Sequence, residues 1–218
     1  MELPGAVWRR SEASTRNGLR LKIVQCDFLA GVGDPASFPP PGLPEVAFMG
    51  RSNVGKSSLL NALLDRRHLA RIGSTPGRTR QVNFFRVNGA CLFVDLPGYG
   101  FSRVSRSLRA RWKDLVEAYL NRPASRRLAI LIVDARHPLT EMDREMIDWL
   151  QARRMPFRVA ANKTDKLSRN EWQKNLNLNL QEIHRPGLLV PCSAHTREGI
   201  PKLWAAIDGM LHETTPTH

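Results

Sequence analysis

The segment Gly50-Arg51-Ser52-Asn53-Val54-Gly55-Lys56-Ser57 constrains this chain more than any other. It follows the apolar run Val46-Ala47-Phe48-Met49, and from Lys56 onward the pattern turns helical, through Ser58 and the leucines beyond it. A G-x-x-x-x-G-K-S sequence in that strand-then-helix setting forms a phosphate-binding loop. Its glycines let the backbone wrap an anion and aim N–H groups and the positive helix end at it. Lys56 then reaches the β- and γ-phosphates, and the Ser57 hydroxyl offers itself to Mg²⁺. A glycine-rich turn without a ligand is the bland alternative, weakened because every fixed position and the context both match. The loop selects a nucleotide but not its base.

The rest of the chain has the texture of an α/β fold. Leu92-Phe93-Val94, Leu128 to Val133, Phe157 to Ala160 and Leu188-Leu189-Val190 are unbroken apolar runs of strand length, as in strands covered by helices on both faces. Helical stretches begin near Lys56, Leu108, Asn170 and Pro201. Thr140-Glu141-Met142-Asp143 reads as a helix start, with Met142, Met146, Trp149 and Leu150 following at helical spacing. Gln81 to Val87 and Ala90 to Val94 flank Asn88-Gly89, which predicts a hairpin. The expectation is therefore a mostly parallel six-stranded sheet with one antiparallel strand and helices on both faces. Residues 1–41 read as an irregular Pro/Gly-rich lead-in, with Leu21-Lys22-Ile23-Val24 as a candidate edge strand. Residues 42–212 form the nucleotide-binding domain, and 213–218 a short polar tail.

Two later segments choose the base. Asn162-Lys163-Thr164-Asp165 and Cys192-Ser193-Ala194 each follow an apolar run, where open α/β sheets bind ligands. The Asp165 carboxylate can accept from both the ring N–H and the exocyclic amine of guanine, a donor pair adenine lacks. Left without those donors it carries a desolvation cost, so it selects guanine and rejects adenine. Asp95-Leu96-Pro97-Gly98 supplies a carboxylate for the Mg²⁺ shell and a glycine N–H for the γ-phosphate. Thr75-Pro76-Gly77-Arg78-Thr79 precedes the hairpin. Thr79 is the better candidate to sense the γ-phosphate and Mg²⁺, with Thr75 organising the turn.

With these residues in place, the chain resembles the EngB/YihA/YsxC family of bacterial GTP-binding proteins, within the TrmE–Era–EngA–YihA–septin group. The resemblance runs from about Gly42 to Leu211. It rests on GLPEVAFMGRSNVGKSSLLNAL, TPGRT followed by NFF, DLPGYGF, NKTD and CSA, of which TPGRT and DLPGYG are the family-specific part. It implies a Ras-like P-loop GTPase fold, GTP and GDP as ligands, Mg²⁺, and conversion of GTP to GDP and phosphate. It also implies a role in assembly of the large (50S) ribosomal subunit, needed for normal cell division and septation. Carried over by motif, Ser57 and Thr79 are the Mg²⁺ ligands, and Lys56, Thr79 and Asn53 serve catalysis. Nucleotide contacts come from Gly50 through Ser58, from Gly77, Arg78, Thr79, Arg80 and Gln81, and from Asp95, Leu96, Pro97 and Gly98. Asn162, Lys163, Thr164, Asp165, Cys192, Ser193 and Ala194 complete them. The chain departs from the pattern at Asn162, where many members carry Thr, and in a longer lead-in.

Tyr99 stands where Ras-type enzymes place the Gln that orients water, so slow intrinsic hydrolysis is expected. Asn53 matches an asparagine that in related GTPases helps hold K⁺, which could supply the charge of an arginine finger; capping the loop is its other available role. Arg78 can face the γ-phosphate or RNA, and Tyr99 can stack on RNA or pack inside.

Charge suggests the partner. The 218 residues carry a formal net charge of +13. Between Arg66 and Lys113, eleven basic residues accompany a single acid, Asp95. Arg and Lys contacts to phosphates bind nucleic acid without reading sequence, so the expectation is rRNA of the large subunit, with no DNA specificity. Three widely spaced cysteines support neither a disulfide framework nor a zinc site. MELPGAVWRR lacks a signal-like apolar core. A cytoplasmic monomer without membrane contact is expected. Two alternatives stay open at this point: a basic RNA-binding module whose nucleotide is structural, and an ATP-using P-loop kinase, against which Asp165 argues.

Overall fold

The computed structural model describes residues 23–66, 81–99, 106–183 and 186–212. Twelve principal elements alternate along it. They are β1 (Cys26–Val32), β2 (Glu45–Gly50), α1 (Lys56–Leu64), β3 (Val82–Val87), β4 (Cys91–Asp95), α2 (Arg106–Asn121), β5 (Arg127–Asp134), α3 (Glu141–Ala152), β6 (Phe157–Asn162), α4 (Arg169–Ile183), β7 (Leu189–Pro191) and α5 (Ile200–His212).

All seven strands join one sheet in the order β1-β3-β4-β2-β5-β6-β7. β2 pairs in parallel with β4 and β5, β5 with β6, and β6 with β7, while β3 runs against both β1 and β4. The expected six strands are thus one too few. β3 would otherwise be an open edge with a row of unpaired backbone groups, and Cys26–Val32 covers it. The candidate edge strand was placed too early: Leu21 and Lys22 lie outside the described residues, and Ile23 and Val24 precede the strand.

The β3–β4 hairpin turns at Asn88-Gly89 as expected. Both residues adopt positive φ, 51° and 65°, and Ala90 N–H donates to Val87 O at 2.9 Å. Positive φ at both central positions matches the twist of the flanking strands. The Asn88 side chain also accepts the N–H groups of Val24 and Gln25 at 2.8 and 3.0 Å, tying the lead-in to this turn.

Continuous apolar strands arise because both faces are covered. One face packs Met49, Val94, Leu131 and Val159 against Leu115, Val116, Ile147 and Leu150 of α2 and α3. The other packs Phe48, Phe93, Ile130 and Ala160 against Leu59, Leu63, Trp204 and Ile207 of α1 and α5. At about 25 cal/mol per Å² of apolar area removed from water, such burial is the main stabilising term. On α3 the expected inward stripe is rotated. Ile147 and Leu150 face the core, whereas Met142 is 42% exposed, because Asp143 is the first-turn residue that turns inward.

At the amino end of β2, Glu45 is fully buried among cations. Its carboxylate accepts from Arg122, from Arg127 Nε and Nη2 at 3.0 and 2.9 Å, and from Tyr119 Oη at 2.9 Å. Arg122 also donates to Pro39 O at 2.6 Å and lies over the rings of Phe38, Phe84 and Tyr119. This cluster fastens the segment before β2 to α2 and β5, at the opposite end of the sheet from the phosphate loop.

Candidate nucleotide site

The loop joining β2 to α1 lies at the carboxyl end of β2, beside the ends of β4, β5 and β6. Its glycines are required by close approach. A Cβ on Gly50 would sit 2.5 Å from Ile132 O, and Gly55, at φ 92°, is so near Asn162 that a Cβ there would overlap its Nδ2. Lys56 opens α1, and its ammonium is paired with the Asp95 carboxylate at the end of β4. A cation and an anion thus face each other at the mouth of the loop. Ser57 is half-buried in the same first helical turn, and Asn53 is exposed at the loop tip with φ 67°.

The segment Asp95-Leu96-Pro97-Gly98 is laid against the loop. Leu96 N–H donates to Phe48 O at 3.0 Å and Tyr99 N–H to Gly50 O at 3.3 Å. Ser52 N–H returns a bond to Tyr99 O at 3.0 Å. Tyr99 is packed inside, its hydroxyl donating to Asp143 Oδ1 at 2.9 Å, so it is not available for stacking on RNA. Burial first, and then the neighbouring Asp143, push its phenol far above the ordinary range.

The N-K-x-D residues are fixed by a second set of bonds. Asn162 Nδ2 donates to Val54 O at 3.0 Å, while its Oδ1 accepts the Ala194 N–H at 3.0 Å. Lys163, at φ 73°, stretches its ammonium to Asn53 O at 2.6 Å and to Asp134 Oδ2 at 2.9 Å. Thr164 donates its N–H and hydroxyl to Cys192 O at 3.2 and 3.0 Å. Asp165 Oδ1 accepts from Ser193 Oγ at 2.7 Å, and chiefly that bond holds its carboxyl below the usual range. Ser193 Oγ in turn accepts the N–H groups of His195 and Thr196 at 3.1 and 3.0 Å. Cys192 is buried, its thiol pushed up to about 12 by burial, which suits a backbone role rather than nucleophilic chemistry.

The structure therefore brings Gly50 to Ser58, Asp95 to Gly98, Asn162 to Asp165 and Cys192 to Ala194 to one edge of the sheet. Gln81 immediately precedes β3, its side chain beside Gly31 of β1. Gly77, Arg78, Thr79 and Arg80 lie outside the described residues, as do Arg67, Arg71 and Arg103 of the basic stretch between Arg66 and Lys113. Two carboxylates were not singled out as site residues from sequence. Asp134 holds Lys163 and Asp143 holds Tyr99. Burial pushes the Asp134 carboxyl upward, but hydrogen bonds from Arg136 and Lys163 outweigh it and hold it well below the carboxylate range. Its place at the carboxyl end of β5 was the available signal.

A phosphate loop, an aspartate-to-glycine segment docked on it, and an N-K-x-D loop locked to both the loop and a serine-alanine turn define a P-loop GTPase. A family model described as "50S ribosome-binding GTPase" matches residues 45–163. The probable GTP-binding protein EngB of Desulforamulus reducens is 42% identical over 199 residues, covering 88% of this chain and 96% of that one. Its counterpart in Geobacter metallireducens is 44% identical over 195 residues, covering 88% and 94%. The chain belongs to the EngB family of GTP-binding GTPases. The crystal structure of a probable GTP-binding protein engB superposes with a TM-score of 0.61 at 25% identity, covering 78% of this chain and all of that one. Era in complex with MgGDPNP and nucleotides 1506–1542 of 16S ribosomal RNA gives 0.59 at 27% identity, covering 82% and 60%. Among the described residues, no helix is long and apolar enough to cross a membrane.

Proposed function

We propose that this GTPase is a nucleotide-switched assembly factor of the large ribosomal subunit, and that cell division and septation depend on it through that role. The observation that carries the reading is the match of residues 45–163 to a family described as ribosome-binding. The rRNA bound in the Era complex and the +13 charge of this chain support it. In this reading the GTP-bound form binds the subunit through the basic stretch around the nucleotide site, and GDP releases it.

Within the site, Lys56 neutralises the β- and γ-phosphates, and the Gly98 N–H faces the γ-phosphate. Asp165 takes the guanine edge, with the Ala194 N–H beside it. Mg²⁺ fits the donor set: the Ser57 hydroxyl and the Asp95 carboxylate are hard oxygen ligands, and this ion typically takes one or two protein ligands and completes its shell with phosphates and water. No group of three or more His, Cys, Asp or Glu gathers among the described residues, which agrees with a shared rather than an all-protein shell. Bound there, the ion would offset the charge of the phosphates, with Ser57 and Thr79 as its protein ligands by motif and Asp95 contributing to its shell. With Tyr99 turned inward, no side chain at that position orients water, so intrinsic turnover is slow. Asn53, at the tip of the loop, holds K⁺ in this reading.

The test is GTP hydrolysis and co-sedimentation with purified 50S subunits, in K⁺ and in Na⁺ buffer, with GDP and with a non-hydrolysable GTP analogue. Nucleotide-dependent sedimentation and faster turnover with 50S in K⁺ are expected. Equal sedimentation with either nucleotide would overturn the switch, and equal rates in K⁺ and Na⁺ would remove the K⁺ role.

A further inference from the structure

Tyr99 directly follows Gly98, yet its side chain points away from the phosphate loop into the core. It is 6% exposed, and its hydroxyl donates to Asp143 Oδ1 at 2.9 Å. Asp143 is itself immobilised, because its Oδ2 accepts the Thr140 N–H and hydroxyl at 3.0 and 2.7 Å in the first turn of α3. A buried phenol without a partner carries a desolvation cost, so this bond fixes where the tyrosine can sit.

The backbone of the same residue is paired with the phosphate loop in both directions, to Gly50 O and from Ser52 N–H, and Ser52 Oγ adds a bond to Tyr99 O at 3.3 Å. Gly98 is carried with it: a Cβ there would lie 3.4 Å from Gly50 O and from Ser52 N. The position of Gly98 is therefore set on one side by the loop and on the other by α3. Among the described residues, the loop, Gly50 to Ser57, is joined to Asp143 through Tyr99 rather than directly.

We propose that Tyr99 is a positioning residue for triphosphate recognition: anchored to Asp143 on α3, it holds the Gly98 N–H against the phosphate loop, so that the ratio of GTP to GDP affinity depends on a bond outside the nucleotide pocket. The proposal rests on the reading that Gly98 faces the γ-phosphate. GDP, which needs the loop but not Gly98, is bound independently of the anchor. The first turn of α3 is thereby coupled to nucleotide state, and by linkage GTP binding and formation of the Tyr99–Asp143 bond favour each other by the same factor.

The test uses the full chain with Tyr99→Phe, Asp143→Ala and the double variant, titrated with fluorescent GDP and with a fluorescent non-hydrolysable GTP analogue. Tyr99→Phe keeps the ring and removes only the hydroxyl. The expected result is a loss of GTP-analogue affinity of about five- to tenfold, the scale of one hydrogen bond, with GDP affinity within about twofold of the parent. The double variant should show the same GTP/GDP ratio as the single ones, since each removes the same bond. A merely structural tyrosine would lower the melting temperature and weaken both nucleotides alike; that result, or an unchanged ratio, overturns the proposal. If Tyr99→Phe does not fold, the ratio for Asp143→Ala decides by the same criterion. Lys56→Ala separates the two levels of reading. If it binds both nucleotides like the parent, the site assignment fails; if it loses both while the Tyr99→Phe ratio is unchanged, only the anchor fails.

Discussion

Asn162 donates its side-chain amide to the Val54 carbonyl across 3.0 Å, joining the base-side loop to the phosphate loop over 108 residues of sequence. The same carboxamide accepts the Ala194 N–H, so one buried residue holds three segments in register. Asn162→Ala removes both bonds and leaves a buried carbonyl and N–H without partners. A stability loss of about 2–4 kcal/mol is expected from two such groups, together with weaker binding of GTP and GDP alike. Urea denaturation and nucleotide titration check it; unchanged affinity for both nucleotides would show that the register is held by other bonds.

Asp134 gives a pH signature. Its folded-state carboxyl is held below the ordinary value by Arg136 and Lys163 despite the opposing effect of burial. The depressed carboxyl stabilises the fold fully above the unfolded value of about 3.9, and that contribution is lost as pH falls through the folded value. Asp134→Asn lacks it. The melting temperature of the parent should therefore exceed that of Asp134→Asn at pH 6, and the gap should narrow as pH drops below about 4. A gap independent of pH would show that the carboxylate charge is not what holds Lys163.

Glu45 makes the opposite case, a buried charge remote from the site. Glu45→Ala leaves the guanidinium groups of Arg122 and Arg127 half-dismantled in a buried cluster. Removing one partner of such a pair costs about 3–5 kcal/mol. Chemical denaturation should show that loss, with the GTP/GDP affinity ratio of the surviving folded protein unchanged, because the cluster lies at the far end of β2.

What the sequence made legible follows from the range over which each signal acts. The phosphate loop, the Asn88-Gly89 hairpin and the apolar strands are local patterns, and each lies where its pattern placed it. β1 was placed too early because Cys26–Val32 is a strand only by virtue of the free edge of β3, a tertiary circumstance. Asp143 looked like a helix cap, which it is; its second bond, to Tyr99, spans 44 residues and leaves no local trace. Asp134 reaches Lys163 across 29 residues in the same way. Residues that hold other residues are hidden from sequence, whereas those that would touch the ligand announce themselves by type and spacing.

Asp165 allows the base preference itself to be redirected. Its Oδ1 is oriented by the Ser193 hydroxyl at 2.7 Å, which fixes the carboxylate in one plane. As a carboxylate it offers two acceptors to the ring N–H and amine of guanine. Asp165→Asn keeps the shape but exchanges one acceptor for an N–H donor, which opposes the guanine amine and complements the 2-oxo group of xanthine. A buried donor set against a donor costs about 1–3 kcal/mol, so GTP affinity should fall by at least tenfold while xanthosine triphosphate gains. Competition of both nucleotides, and of ATP as a control, against a fluorescent analogue measures the exchange. Retention of tight GTP binding with no gain for xanthosine triphosphate would show that Asp165 does not contact the base edge.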